Sequence, residues 1–204
     1  MDRFKPLKKL FFERDTQAVA RELLGKYIIV SSGRRKLAVK IVETEAYGDS
    51  SDKGCHATRY GRTKRTAQLF GEPATAYVYA VHVNRFCFNI VAHEKSSVGA
   101  VLVRAAEPVE GTVALLKNRK KPKDCPSHLF LDGPAKLCEA LKFRTELTGA
   151  DLLKGKIFVA EGEKVGKTDI ESTARINIPY AEESRFLKWR YIIKDCPFIS
   201  KVKP

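Results

Sequence analysis

From Leu37 onward the odd-numbered positions read Leu37, Val39, Ile41, Glu43, Glu45 and Tyr47. Side chains two apart on a strand share a face, so this run predicts a β-strand over residues 36–47 whose apolar face turns into two acids and a phenol. A buried carboxylate without a partner is costly, so each Glu must meet water, pair with a base or do chemistry. Period-two patterning predicts further strands over 27–31, 76–81, 86–91 and 99–104, and others over 156–160, 172–178 and 189–193. Ser32-Gly33-Arg34-Arg35 has the length and the glycine of a hairpin turn, which makes the acidic strand antiparallel to its predecessor.

Helical spacing is confined to short stretches. Asp15 is an N-cap residue, Val19, Ala20, Leu23 and Leu24 form one apolar stripe, and Gly25 suits a left-handed C-terminus. Pro108 is read as opening a second helix through Leu116, which runs into the basic stretch Lys117-Asn118-Arg119-Lys120-Lys121 before Pro122 ends it. A third starts at Gly133-Pro134, with Leu137 and Leu141 on one face. Strands in runs with helices inserted later predict an α+β fold with a largely antiparallel sheet, and no linker or repeat divides residues 1–204, so one domain is expected.

Composition changes the picture through charge. The 204 residues carry 38 Lys and Arg against 24 Asp and Glu, a formal net charge of +14. That balance favours polyanionic partners, nucleic acid first, and no basic amphipathic helix with exposed aromatics argues for a membrane surface. Five scattered cysteines and four histidines lack metal-ligand spacing, so no metal or cofactor is expected. Free thiols, the absence of an apolar leader and the absence of a spanning run point to a reducing intracellular compartment, cytoplasmic or nuclear.

The segment His56-Ala57-Thr58-Arg59-Tyr60-Gly61-Arg62-Thr63-Lys64-Arg65 reads as a loop with four cations that could hold phosphates, although a solvated charged loop has the same composition. Glu43 and Glu45 could each be half of an ion pair with Arg104, which also ends an apolar strand. Tyr47, Tyr77, Tyr79, His56 and Asn89 are ordinary one by one. Together with a carboxylate they supply stacking faces, hydrogen-bonding groups and a general base, the parts needed to hold and cut an extruded nucleobase.

Glu43-Thr44-Glu45-Ala46-Tyr47, His56, Tyr77-Val78-Tyr79, Phe86-Cys87-Phe88-Asn89-Ile90, Arg104-Ala105-Ala106-Glu107-Pro108 and Gly133-Pro134-Ala135-Lys136-Leu137 together resemble the alkyladenine (3-methyladenine) DNA glycosylase family, in its order and spacing. The resemblance runs from about Asp15 to the Cys196-Pro197-Phe198 region. It implies a curved antiparallel sheet, double-stranded DNA carrying damaged purines as the partner, a monomer, and no membrane. It also implies Glu45 as the base that activates water, Arg104 as the residue holding that water and the carboxylate, and Glu43 as a structural acid.

In the same resemblance Tyr47 and Tyr79 sandwich the flipped base and His56 completes the pocket. Cationic methylated purines would then gain a cation–π contribution from these rings. Asn89 corresponds to the filter that crowds the amino group of ordinary guanine. The tyrosine wedge of the family falls on His82, smaller and more polar, with Asn84 and Arg85 replacing more apolar neighbours. Arg85, Arg59, Arg62 and Lys64 are the candidate backbone contacts, and the lack of an obvious lysine nucleophile implies a monofunctional enzyme. The competing reading is a non-catalytic damaged-DNA binding protein.

Overall fold

The computed structural model describes residues 3–32 and 35–201. Eight strands form one sheet: β1 (Tyr27–Ser32), β2 (Arg35–Gly48), β3 (Ala76–His82), β4 (Arg85–Val91), β5 (Gly99–Glu110), β6 (Ile157–Ala160), β7 (Ile170–Thr173) and β8 (Arg190–Ile193). Four α-helices, α1 (Thr16–Glu22), α2 (His56–Tyr60), α3 (Thr112–Asn118) and α4 (Pro134–Leu141), are set among them. The order β3-β4-β5-β2-β1-β6 is antiparallel throughout, and β8 bridges β2 to β7. The expected α+β class with an antiparallel sheet is therefore the observed one. The proposed turn at Gly33-Arg34 lies outside the described residues.

α1 forms as its sequence predicts. The Asp15 side chain accepts from Ala18 N at 2.7 Å, and Gly25 closes the segment at a φ of +82°. Its stripe of Val19, Ala20, Leu23 and Leu24 packs on one face of the sheet with Val39, Phe88, Ile90, Val101, Val103 and the α4 residues Leu137 and Leu141.

One irregularity decides which face carries the acids. β2 pairs Ile41 with Ala106 and Glu43 with Ala105, which leaves Val42 as an extra residue, and the next pair, Thr44 with Val103, skips Arg104. A single inserted residue moves every later side chain to the other face. Val39 and Ile41 point into the main core, but beyond the bulge it is Thr44 and Ala46 that do so, Thr44 Oγ1 donating to the α1 carbonyl of Ala20 at 2.8 Å. Glu43, Glu45 and Tyr47 emerge on the opposite side. The unbroken alternation expected from Leu37 to Tyr47 is thus interrupted, and the acids do not share the face of the aliphatics before them.

Three further segments depart from expectation. Pro108 does not start a helix, because β5 continues through it to Glu110, where it meets Val39 at a register shift that spares the missing N–H. Gly111, at a φ of +79°, makes the turn into α3 instead. The strand expected over 172–178 stops at Thr173, and the expected basic loop after Cys55 begins as α2.

Candidate active site

Strand alternation collects a second, chemically mixed face opposite the main core. Tyr77 and Tyr79 of β3, Cys87 and Asn89 of β4, Ala100, Leu102 and Arg104 of β5, and Tyr47 of β2 line a cleft of about 770 Å³. His56 of α2, the start of α4 and the 176–180 segment close its sides.

Beneath the cleft lies a charge cluster sealed from solvent, with Glu43 and Glu45 fully buried and Arg104 and Arg190 nearly so. Glu43 Oε1 accepts from Arg104 Nε at 3.0 Å, Arg190 Nε at 2.7 Å and Ser200 Oγ at 2.7 Å, and its Oε2 accepts from Ser200 N at 2.6 Å. Three donors thus converge on Oε1 and one on Oε2, and two of the four are guanidiniums from different strands. Glu45 has three donors: Arg104 Nη1 at 3.1 Å and the Tyr47 hydroxyl at 2.7 Å on Oε2, and Ile176 N at 2.7 Å on Oε1. One acceptor site is left on the Ile176 side. The two acids that could not be ranked from their residue types alone differ in their partners: Glu43 is held by two guanidiniums and Ser200, and Glu45 by one guanidinium, the Tyr47 hydroxyl and the Ile176 N–H.

Burial would lower the Arg104 pKa, but the Glu45 and Glu43 carboxylates outweigh it and hold the guanidinium above its ordinary range. Burial, then the Glu45 charge, raises Tyr47 well above a normal phenol, so it stays protonated and donates. Burial raises the Cys87 thiol to about 11. His56 is lowered to about 4, by burial first and then by Arg65 and Arg59. Its neutral ring contacts the Tyr77 hydroxyl through Nδ1 at 3.1 Å and stands edge-on to Tyr79, centroids 4.7 Å apart.

The structure brings Glu45, Arg104, Tyr47, His56, Tyr79 and Asn89 together. Asn89, buried, donates from Nδ2 to the Tyr77 carbonyl at 3.0 Å, which fixes its amide in the cleft wall. His82 and Arg85 flank the β3–β4 hairpin tip and line the cleft end. Arg59 stacks on Tyr180 and donates to the Tyr180 carbonyl, while Arg62 lies exposed over Phe70, and exposed Lys64 is outside the cleft wall. Sequence reasoning named Arg65 only within the basic segment and Lys136 only within a motif, and it missed Lys201 and Tyr180 in the wall and a buried clamp behind Tyr47. There Arg175 grips Asp52 through both terminal nitrogens at 2.7 Å, donates to the carbonyls of Ala46 and Ser184, and stacks between Tyr47 and Trp189. Reading 172–178 as a strand hid this clamp. Among the described residues no group of three His, Cys, Asp or Glu could hold a metal, and no helix is long and apolar enough to cross a membrane.

The family model for methylpurine-DNA glycosylase (MPG) matches residues 10–197. A protein of Desulfitobacterium hafniense (strain Y51) is 38% identical over 201 residues, covering 96% of this chain and 98% of its own. One from Methanocella arvoryzae is 39% identical over 199 residues, covering 97% of each chain, and one from Clostridium perfringens (strain SM101) is 40% identical over 198 residues, covering 94% and 97%. All three are assigned as 3-methyladenine DNA glycosylases. The chain belongs to the methylpurine-DNA glycosylase family and is a DNA glycosylase, a hydrolase of N-glycosidic bonds.

Two measurements test the site as built. Glu43→Gln leaves Arg104 and Arg190 short of their shared anion, so its unfolding free energy in urea should fall by about 3–5 kcal/mol; a loss under about 1 kcal/mol would mean that the cluster does not depend on Glu43. An NMR titration of the imidazole should place His56 near 4. The unfolded chain takes up that proton first, so this ring withdraws stability as pH falls from about 6.5 to about 4. A midpoint near 6.5 would show a solvated ring instead.

Proposed function

We propose that the chain turns a damaged purine out of duplex DNA into the cleft and hydrolyses its N-glycosidic bond with water activated by Glu45, leaving an abasic site. The observation that carries this reading is the different surroundings of the two acids. Glu43 is gripped by two guanidiniums, Arg104 and Arg190, whereas the three donors to Glu45, from Arg104, Tyr47 and Ile176, all belong to residues of the cleft wall and leave one acceptor site open on its Oε1. The water oxygen bonds to C1′, its proton passes to Glu45, and the C1′–N9 electron pair leaves on the base. Arg104, held on Glu43, positions the water and the carboxylate.

Tyr47 on one side and Tyr79 with His56 on the other supply the stacking walls, worth about 1–3 kcal/mol per base. The fixed amide of Asn89 excludes the exocyclic amine of ordinary guanine. Of the two lysines in the cleft wall, Lys136 Nζ is held by Asp132 at 2.8 Å, and an ammonium in an ion pair is no nucleophile, while Lys201 is exposed and makes no hydrogen bond to Glu45, Tyr47 or Arg104. Base release by water without strand cleavage is the reading we adopt. The β3–β4 hairpin would enter the duplex. Its two-residue tip is Val83-Asn84, Asn84 taking the left-handed conformation, and Val83 is 90% exposed. Apolar side chains are the usual wedges between base steps, so Val83 is the better candidate to fill the vacated space, with His82 beside it.

Glu45→Gln should release a damaged base about 10²–10⁴ times more slowly than the wild type while binding the same duplex, and the wild-type product strand should stay intact until treated with alkali. Undiminished release by this variant would sink the assignment. Val83→Asp should lose the fluorescence rise of a flipped 2-aminopurine neighbour far more than His82→Ala does; the reverse order would return the wedge to His82.

A further inference from the structure

The two walls proposed to hold the base come from strands that do not pair. Tyr47 is on β2 and Tyr79 on β3, and β4 and β5 lie between them in the sheet. Three strand spacings put roughly 14 Å between β2 and β3, so the ladder by itself does not fix how far apart the rings stand. His56 narrows the span by meeting Tyr79, and it is carried there by the irregular segment 49–55, which leaves β2 just after Tyr47. Asp52, fully buried within that segment, ties both of its ends: one oxygen accepts from Gly48 N at 3.2 Å and the other from Gly54 N at 2.9 Å. Arg175 closes the staple by donating to both Asp52 oxygens at 2.7 Å.

The same guanidinium reaches the opposite wall and the acid beneath it. Its Cζ lies 4.7 Å from the Tyr47 ring centroid and its Nη1 donates to the Ala46 carbonyl at 2.9 Å, so both the ring and the backbone of that wall rest on it. The Tyr47 hydroxyl donates to Glu45, and the residue after Arg175, Ile176, donates its N–H to the other Glu45 oxygen. Two of the three donors to Glu45 are thus attached to Arg175 or backed by it, and only Arg104 is independent. Gly54 leaves the room for this arrangement, since a Cβ there would lie 2.9 Å from Arg175 Nη2 and 3.0 Å from Asp52 Oδ1.

Resting on the excision reading above, we propose that Arg175, paired with Asp52, is a positioning residue that sets the width of the base slot and the seat of the Glu45 carboxylate together. A shift of the guanidinium moves Tyr47 and Glu45 on one side and, through Asp52, the segment that carries His56 on the other. Arg175 is buried and absent from the cleft wall, so it acts through these groups and not on the base. Lysine is no substitute. Its ammonium has three donors for the four oxygens that Arg175 holds, two of Asp52 and the carbonyls of Ala46 and Ser184, and it lacks the planar fork that grips a carboxylate.

The test compares wild type with Arg175→Lys and with Gly54→Ala, which keeps both charges and presses a methyl group against the pair. Three quantities are measured on folded protein: single-turnover release of free 3-methyladenine from methylated duplex DNA, affinity for the unmethylated duplex, and the NMR midpoint of His56. Release should slow about 10–100-fold in both variants, the size expected when reacting groups are misplaced by about 1 Å, while duplex affinity holds. The His56 midpoint should rise from about 4 toward 6.5 as the segment 49–55 loosens and water reaches the ring. Should Arg175→Lys fail to fold, Gly54→Ala decides alone. Wild-type release by the folded variants would overturn the proposal, as would slowed release with an unmoved His56 midpoint, which would confine Arg175 to the Tyr47 wall. No release by the wild type would overturn the excision reading itself, a result distinct from release that the variants leave unchanged.

Discussion

Four charges buried on one side of a β-sheet constrain most of this structure. Removing two carboxylates and two guanidiniums from water costs several kcal/mol per ion, and only close, well-directed hydrogen bonds recover it. Arg104 must therefore reach both acids from β5, Arg190 must reach Glu43 from β8, and Ser200 must come back from beyond β8 to donate to both oxygens of Glu43. The order of the central strands follows from this: β2, which carries the acids, has β5 on one side and β8 on the other at Glu43–Glu45. Arg104 ties the two acids together, since the guanidinium that donates to Glu43 through Nε also donates to Glu45 through Nη1.

Much of this was legible in the sequence, and the illegible parts share a cause. The helix stripe of α1, the acidic strand, the Tyr77 and Phe88 strands and the α4 start are local patterns set by spacing, capping and proline placement. The shift at Val42 has no local signature, because a bulge appears only when β2 is paired with β5. Without it the run Val39, Ile41, Glu43, Glu45 reads as one face, and the acids seem to spoil a core. With it the core keeps Val39, Ile41 and Ala46, and the acids go to the other side. Pro108 misled for the same reason, as its tolerance within β5 depends on a register shift opposite Val39.

The cleft wall separates along the same line. Tyr47, Tyr79, Asn89 and Arg104 sit on strands that the sequence predicts, with the register shifts between β2 and β5 setting the face of Tyr47 and Arg104. Arg65, Arg175, Ile176 and Tyr180 come from irregular segments whose positions follow from tertiary hydrogen bonds, above all the Arg175–Asp52 pair. A basic residue between Ala174 and Ile176 has no pattern to mark it as the back of an aromatic wall. Only the assembled structure shows that Tyr47 and Tyr79 each have a guanidinium against the ring.

The C-terminal quarter also joins stability to chemistry. Ile176 N supplies one of three donors to Glu45, Arg175 backs Tyr47, Arg190 and Ser200 complete Glu43, and all four lie beyond residue 170 in a chain whose acids are on β2. A buried carboxylate lacking those donors would be too costly to keep ionised in place. Strands β1 to β5 therefore cannot complete the cluster by themselves, and the segments beyond residue 170 supply donors that both buried acids need.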